Sequence, residues 1–266
     1  MSSFSGSQLQ SFWVGLKMTD LWLYFAKNSV QSRFRRSFLG LGWIVLNSLA
    51  FALGAGYLWA QIFQIEAREF VPYIGLGFAI WGFVAASLTD GCDVIFASSS
   101  FTKQIRIPYS VFITQSVLVH FIYFFIAFLS TLIASYILGL APTLGSLWAL
   151  VGILIMFTMS FLTVTTLSYL GARFRDLSHA IGSILQILFV MTPVIYPAEV
   201  ISGRNLDWIV NFNPVNSLLE VIRTPVIHGT PAELYHYSFL ACITVILLLT
   251  AMCSSAVLGR RIIFWL

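Results

Sequence analysis

Long apolar runs separated by shorter polar segments dominate the pattern along this chain of 266 residues. Most runs are near, or somewhat above, the roughly 17–25 residues that a membrane-spanning helix requires. The pattern therefore predicts an all-α integral membrane protein with six transmembrane helices. The runs cover residues 39–63, 70–89, 109–139, 146–170, 178–196 and 237–258.

The segment between the fifth and sixth runs, 197–236, is too long for a turn and too apolar for a solvated loop. Two pieces, LDWIVNF at 206–212 and NPVNSLLEVIRTPVI at 213–227, are typical of short helices. Asn213 and Pro214 separate them, because a residue before proline avoids the helical region and proline starts a helix well. We predict a re-entrant helical hairpin on the outer face, with Glu220 and Arg223 spaced to pair.

The segment ahead of the first run, 1–38, combines aromatic and basic residues. This composition favours a cytoplasmic amphipathic segment that lies in the membrane interface, with a plain juxtamembrane anchor as the alternative. Residues 39–266 then form a single transmembrane domain. The candidate interface residues are Arg33, Arg35 and Arg36.

Composition and charge support the membrane assignment and orient it. Apolar residues make up 59% and charged residues 9% of the chain, and the mean hydropathy is +0.90, whereas soluble domains carry about 25% charged residues. With the amino terminus inside, 11 of the 14 lysines and arginines fall in inner segments and three, Arg68, Arg204 and Arg223, in outer ones. Because basic residues concentrate on the cytoplasmic side, both termini are expected there.

Several chemistries have no signature in the sequence. There is no G-x-x-x-x-G-K-[ST] phosphate-binding loop, no CxxC or HxxxH spacing, and no acid well inside the predicted spans. We therefore expect no catalytic residue, metal or cofactor in this chain. Asp90 and Asp93, at the end of the second run, are interpreted as the start of a solvated loop, and His120 as a helix-packing hydrogen-bond partner. A membrane bundle without its own energy source needs a separate motor that contacts its inner loops.

Four segments in order resemble the permeases of ABC-type polysaccharide exporters. They are RFRRSFLGLGWIVLNSL (33–49), FTKQIRIPYSVF (101–112), GARFRDLSHAIGSILQILFVMTPVIYP (171–197) and NPVNSLLEVIR (213–223). The resemblance implies a homodimer in the bacterial inner membrane, with two separate ATPase subunits that bind ATP and magnesium. The implied substrate is a lipid-linked polysaccharide, foremost O antigen, with capsule or teichoic acid as alternatives. The chain is also expected to contact membrane lipids and to bind no nucleic acid.

Alternative hypotheses are a small-molecule or lipid ABC exporter, a membrane glycan-assembly enzyme that uses Asp90 and Asp93, and a nonenzymatic assembly scaffold. The leading hypothesis, a polysaccharide export permease, predicts three sets of functional residues. The ATPase-coupling set is Ser99, Phe101, Lys103, Gln104, Arg106 and Pro108; the outer-gate set is Trp208, Asn213, Pro214, Leu218, Glu220 and Arg223; and the possible channel-lining set is Tyr57, Trp59, Trp81 and Phe83.

Overall fold

The computed structural model describes residues 8–99, 101, 107–200, 207–259, 261–262 and 265, and within these ranges it contains helices and turns but no β-strand. Two helices, α1 (Gln8–Lys17) and α2 (Thr19–Arg33), precede the membrane bundle. The bundle helices are α3 (Gly42–Leu49), α4 (Gly56–Phe63), α5 (Ala67–Ala97), α6 (Tyr109–Ile137), α7 (Trp148–Gly171), α8 (Leu177–Met191), α9 (Asp207–Asn211), α10 (Pro214–His228) and α11 (Leu234–Val257).

In the described part of the chain, five stretches are long and apolar enough to cross a membrane. A π-helical stretch, Ala50–Ala55, joins α3 to α4 in the first of them. The run predicted at 178–196 corresponds to α8, which has only 15 residues and ends at Met191. The five stretches are Gly42–Phe63, Ala67–Ala97, Tyr109–Ile137, Leu144–Gly171 and Leu234–Val257.

Helix α5 lies at the centre of the bundle, packed against α6, α7, α8 and α10. In its most apolar 18-residue window, 61% of the residues are buried, whereas only 17% are buried in each of the first and last spans. The first and last spans therefore leave most of their apolar surface for lipid or a partner chain. Helix α10 approaches α7 at Gly152, where a Cβ would lie 2.7 Å from the carbonyl oxygen of Val221.

Helix α5 is longer than the apolar run predicted. It continues through Asp90 and Asp93 to Ala97, so the prediction that these acids begin a loop is wrong. The apolar pattern stops at residue 89 because Asp90 and Asp93 are charged, and both lie exposed on the helix surface. No proline follows to break the helix before Ala97. The end of the bundle that carries these acids is the one predicted to be cytoplasmic, and we call it the inner end.

Helices α1 and α2 pack against α6 at the inner end. Ala26 and Val30 of α2 are buried against Val119, and the Ser110 hydroxyl donates to the carbonyl of Phe12 at 2.8 Å. Leu23 and Tyr24 of α2, in contrast, remain exposed. Helix α2 is thus only partly buried against the bundle.

Candidate functional site

The two helices predicted between the last spans are present as α9 and α10. Ten of the 15 residues of α10 are buried, including Leu218 and Ile222, against α5, α7 and α11 of the same chain. In α9 and just after it, Trp208 and Phe212 are 57% and 71% exposed. The apolar surface that α10 buries is therefore used within the subunit, and among the described side chains of α9 and the junction, the large apolar ones left exposed are Trp208 and Phe212.

Asn213 forms the junction between the two helices. Its Oδ1 accepts hydrogen bonds from the backbone N–H groups of Val215 and Asn216, at 2.9 and 3.3 Å. This is the N-cap arrangement, which satisfies donors that a helix start leaves unpaired. Its Nδ2 donates to Oγ1 of Thr192 at 2.7 Å. Pro214 takes the first helical position, as predicted.

Arg223 extends from α10 to the non-helical segment that follows α8. Its Nη1 and Nη2 donate to the carbonyl oxygens of Pro193 and Val194, each at 2.8 Å. The predicted pairing with Glu220 is wrong: no ion pair within 4.0 Å joins them, and the Glu220 carboxylate instead accepts from the Thr224 hydroxyl at 3.0 Å. Carbonyl groups without helical partners attract the guanidinium because they have free lone pairs.

The surroundings of Arg223 keep it charged although it is 2% exposed. The ring of Tyr73 lies 3.7 Å from its Cζ, close enough for a cation–π interaction. Burial lowers the pKa of the Arg223 guanidinium, while Tyr73 and Glu220 oppose that shift. Since an arginine in a protein remains protonated, α10 holds a fixed positive charge inside the bundle.

A polar cavity lies near the inner end, between α2, α3, α5 and α6. Nε2 of His120 lies 3.2 Å from Oδ2 of Asp90, and the guanidinium of Arg33 lies 5.2 Å from the ring centre of Tyr123. The cavity has a volume of about 440 Å³, and its lining becomes apolar toward Phe51 and other phenylalanines. Within the described ranges, no group of three or more histidines, cysteines and acids comes together as a metal site.

The three candidate arginines before the first span differ in position. Arg33 ends α2 and lines the polar cavity, so it contributes to the bundle as well as to the surface. Arg35 and Arg36 follow in the turn, both exposed, and Arg36 has a φ of 69°. Arg33 thus joins His120 and Asp90 in one polar cluster, a grouping that the sequence did not predict.

A second cavity lies between α5 and α8 and has a volume of about 590 Å³. Trp81 lines it and contacts Phe189, with ring centres 5.2 Å apart. Phe83, also predicted to line a channel, is 3% exposed and borders the polar cavity instead. Tyr57 and Trp59 lie away from both cavities: Tyr57 is exposed, and Trp59 stacks on Phe63.

The predicted coupling segment is described only at its ends. Ser99 and Phe101 follow α5, Pro108 caps α6, and Lys103, Gln104 and Arg106 lie outside the described residues. The Phe101 ring is 54% exposed and contacts the rings of Phe25 and Phe112. This brings the start of the segment to the same inner surface as α2.

The inner loop between α7 and α8, 173–176, is stabilised by arginine–aromatic contacts. Arg173 lies over the rings of Phe174 and Trp265, at 5.1 and 5.6 Å, and Arg175 lies 4.8 Å from the ring centre of Phe96. These contacts connect the start of α8 to the end of α5 and to the carboxyl-terminal residues.

Sequence reasoning missed Tyr73 and the role of Gly77 around Arg223. The hydroxyl of Tyr73 lies 3.1 and 3.0 Å from the carbonyl oxygens of Pro193 and Tyr196, and a Cβ on Gly77 would overlap Nη2 of Arg223. The available signal was Arg223 itself, since a lone cation in an apolar segment requires buried partners.

Comparison with known proteins assigns the chain to a family. Residues 20–227 match the model of the ABC-2 type transporter. An O-antigen export system permease protein RfbA of Klebsiella pneumoniae is 24% identical over 212 residues, covering 79% of this chain and 82% of that protein. One of the same name from Myxococcus xanthus is 26% identical over 248 residues, covering 91% and 92%. Since the family model covers well over half of the chain, this protein belongs to the ABC-2 type transporter family.

Proposed function

We propose that this chain is the permease subunit of an ABC exporter that moves lipid-linked O antigen across the bacterial inner membrane. The observation that carries the proposal is the family match over 20–227, together with relatives that are named O-antigen export permeases. The five long apolar helices supply the membrane bundle that such a subunit needs. The chain is a channel-forming component rather than an enzyme.

The motor is a separate protein. The sequence contains no phosphate-binding loop, so ATP and magnesium bind to a partner ATPase. Two copies of the chain form the channel, and two ATPase subunits bind on its cytoplasmic side. The incompletely buried first and last spans leave apolar surface on each subunit, which supports association of two copies.

The proposed topology has six crossings and both termini in the cytoplasm. Helix α8 spans about 22 Å at 1.5 Å per residue, against a hydrocarbon core of about 30 Å. The non-helical segment 192–197 supplies the remaining length. Non-helical backbone is tolerated at membrane depth only where protein surrounds it, and Arg223 and Tyr73 provide that protection for the Pro193 carbonyl.

The amino-terminal residues 1–38 form an interface segment in this proposal. Leu23 and Tyr24 of α2 are exposed, and the basic Arg35 and Arg36 follow this helix. An apolar face next to cationic side chains suits the boundary between lipid headgroups and acyl chains. Residues 39–266 constitute the transmembrane domain.

ATPase coupling is assigned to Ser99, Phe101, Lys103, Gln104, Arg106 and Pro108. Phe101 offers an exposed aromatic ring beside basic residues of the sequence, and Pro108 begins α6. Force applied to this segment would pass directly into α6, because a helix is a stiff element. The neighbouring loop 173–176 provides a second contact through its exposed Phe174.

The channel is assigned to the α5–α8 side, where Trp81 faces a cavity. Aromatic rings suit a glycan because its CH faces pack on them. Phe83, Tyr57 and Trp59 are weaker candidates on this geometry, since Phe83 is buried in the subunit and the other two lie away from the cavity.

The outer gate is assigned to the hairpin, with Trp208 and Phe212 as the residues that meet the second copy. Asn213, Pro214, Leu218, Glu220 and Arg223 hold the hairpin in the subunit, and apolar side chains that meet across a two-fold axis seal a channel by excluding water. Replacing Trp208 and Phe212 by alanine should raise ion leak through the reconstituted complex without ATP. Phe125→Ala, which alters another exposed ring, is the control.

The central experiment is deletion of the gene in cells, followed by complementation with the chain and its ATPase. Removing the gene should abolish surface O antigen, and supplying the chain with an active ATPase should restore it, whereas an ATPase with a disabled nucleotide site should not. Restoration of capsule or teichoic acid alone would replace O antigen as the substrate. Normal surface glycan in the absence of the chain would refute the export function.

A further inference from the structure

Arg223 is a buried cation whose hydrogen-bonding partners are backbone carbonyls. Burying a charge is costly unless hydrogen bonds and nearby charge density compensate for lost hydration. Here the compensation comes from Pro193 O, Val194 O and the face of the Tyr73 ring. Both carbonyls belong to the non-helical segment after α8, so the charge is placed where that backbone lacks helical partners.

The surrounding helix is shaped to accept the guanidinium. On α5, Gly77 leaves room that any Cβ would fill, since it would overlap Nη2 of Arg223 and lie 2.9 Å from Val194 O. One turn and a half along the same helix, Gly82 has no atom within 4 Å of the equivalent Cβ position. The two glycines therefore differ in function although they look alike in sequence.

Helix α8 is weakly held along its length. Leu185 is the one buried residue of α8, while Ile184, Ile187 and Val190 are each more than half exposed. The segment after its outer end, in contrast, has specific polar connections. Asn213, which caps α10, bonds to Thr192, and Arg223 of α10 bonds to Pro193 and Val194. The Tyr73 hydroxyl of α5 also bonds to the carbonyls of Pro193 and Tyr196. A helix with little side packing and a tightly bonded end moves most easily together with the element at that end.

We propose that Arg223 is a positioning residue that joins α8 and α10 into one moving body. A displacement of α8, which begins directly after the inner loop 173–176, is then transmitted to the outer hairpin. The inference rests on the proposed export function, because it links the motor side to the outer gate. Two residues of α5 assist Arg223: Gly77 leaves room for the guanidinium, and Tyr73 stacks on it while its hydroxyl bonds to the Pro193 carbonyl that Arg223 also binds.

The test measures distances between spin labels in the complete complex in lipid nanodiscs, with and without a non-hydrolysable ATP analogue. Labels are placed at Val190→Cys and His228→Cys, the outer ends of α8 and α10, after replacement of Cys92, Cys242 and Cys253. A second pair, Val190→Cys and Ile133→Cys, reports movement of α8 against α6. We expect nucleotide to shift the second distance and leave the first unchanged.

Variants then test the residue itself. Gly77→Ala should broaden the α8–α10 distance distribution because it displaces the guanidinium, whereas Gly82→Ala should leave it narrow. If Gly77→Ala does not assemble, Tyr73→Phe, which keeps the ring and removes the hydroxyl, should give a smaller broadening. A wild-type α8–α10 distance that changes with nucleotide, a second distance that does not, or equal widths in all variants would overturn the proposal.

These readouts separate this inference from the proposed substrate. The distances depend on the protein and nucleotide, not on which polymer is exported. If the distances behave as expected but no O antigen is moved, the substrate assignment fails and the joined body stands. If export is normal and the two helices move apart, the joined body fails and the export function stands.

Discussion

Replacing Asn213 with alanine removes two connections at the start of α10. The Oδ1 atom caps the N–H groups of Val215 and Asn216, and the Nδ2 atom donates to Thr192. The side chain is 8% exposed, so water cannot easily replace either connection. The variant should therefore lose the cap and the link to the segment after α8 at once.

The expected loss follows from these two contributions. An N-cap replaced by alanine costs about 1 kcal/mol, and a buried hydrogen bond contributes about another 1 kcal/mol. Asn213→Ala should thus lower the free energy of unfolding by about 2 kcal/mol. Asn213→Ser keeps a capping oxygen and loses only the amide donor, so it should cost about half as much.

The assay is equilibrium unfolding of the purified protein in mixed SDS and detergent micelles, followed by tryptophan fluorescence. Asn211→Ala is the matched control, because that side chain is exposed in the neighbouring α9 and should change stability by less than about 0.5 kcal/mol. Equal losses for the alanine variants at positions 211 and 213 would refute the reasoning. So would a serine variant as unstable as the alanine variant.

Three further predictions concern the partner, the topology and the coupling segment. The purified chain without its partner should hydrolyse no ATP, and turnover that co-purifies with the chain through successive columns would contradict this. With the native cysteines replaced, Glu233→Cys should react with a membrane-impermeant maleimide added outside spheroplasts, because Glu233 is exposed in the proposed outer segment 197–236 and away from the gate residues; reaction only after lysis would place this segment inside. Arg106→Glu should reduce export at least tenfold and weaken binding of the ATPase while the chain still inserts, since it reverses a charge at the proposed contact. Lys27→Glu, an exposed inner-side control, should have little effect, and normal export by the Arg106 variant would remove that residue from the contact.

The hydropathy pattern was sufficient for the all-α class, for five of the six predicted spans and for the two short helices that precede the last span. These features follow from local chemistry, because a backbone in lipid must satisfy its hydrogen bonds within each helix. The starts of α6 at Pro108 and of α10 after Asn213 could also be predicted from the sequence. Proline has a backbone angle suited to a helix start, and asparagine caps the first N–H groups of a helix. None of these predictions required knowledge of which helix neighbours which.

Tertiary structure decided what depends on contacts between distant segments. The continuation of α5 past residue 89 was hidden because Asp90 and Asp93 end the apolar pattern without ending the helix, and Asp90 pairs with His120 of another helix. Arg223 was expected to pair with a neighbour on its own helix, but a long side chain buried beside carbonyls outside a helix gains more from those carbonyls. Spacing along one helix describes only that helix, whereas the partners of a buried charge are chosen by the three-dimensional packing around it.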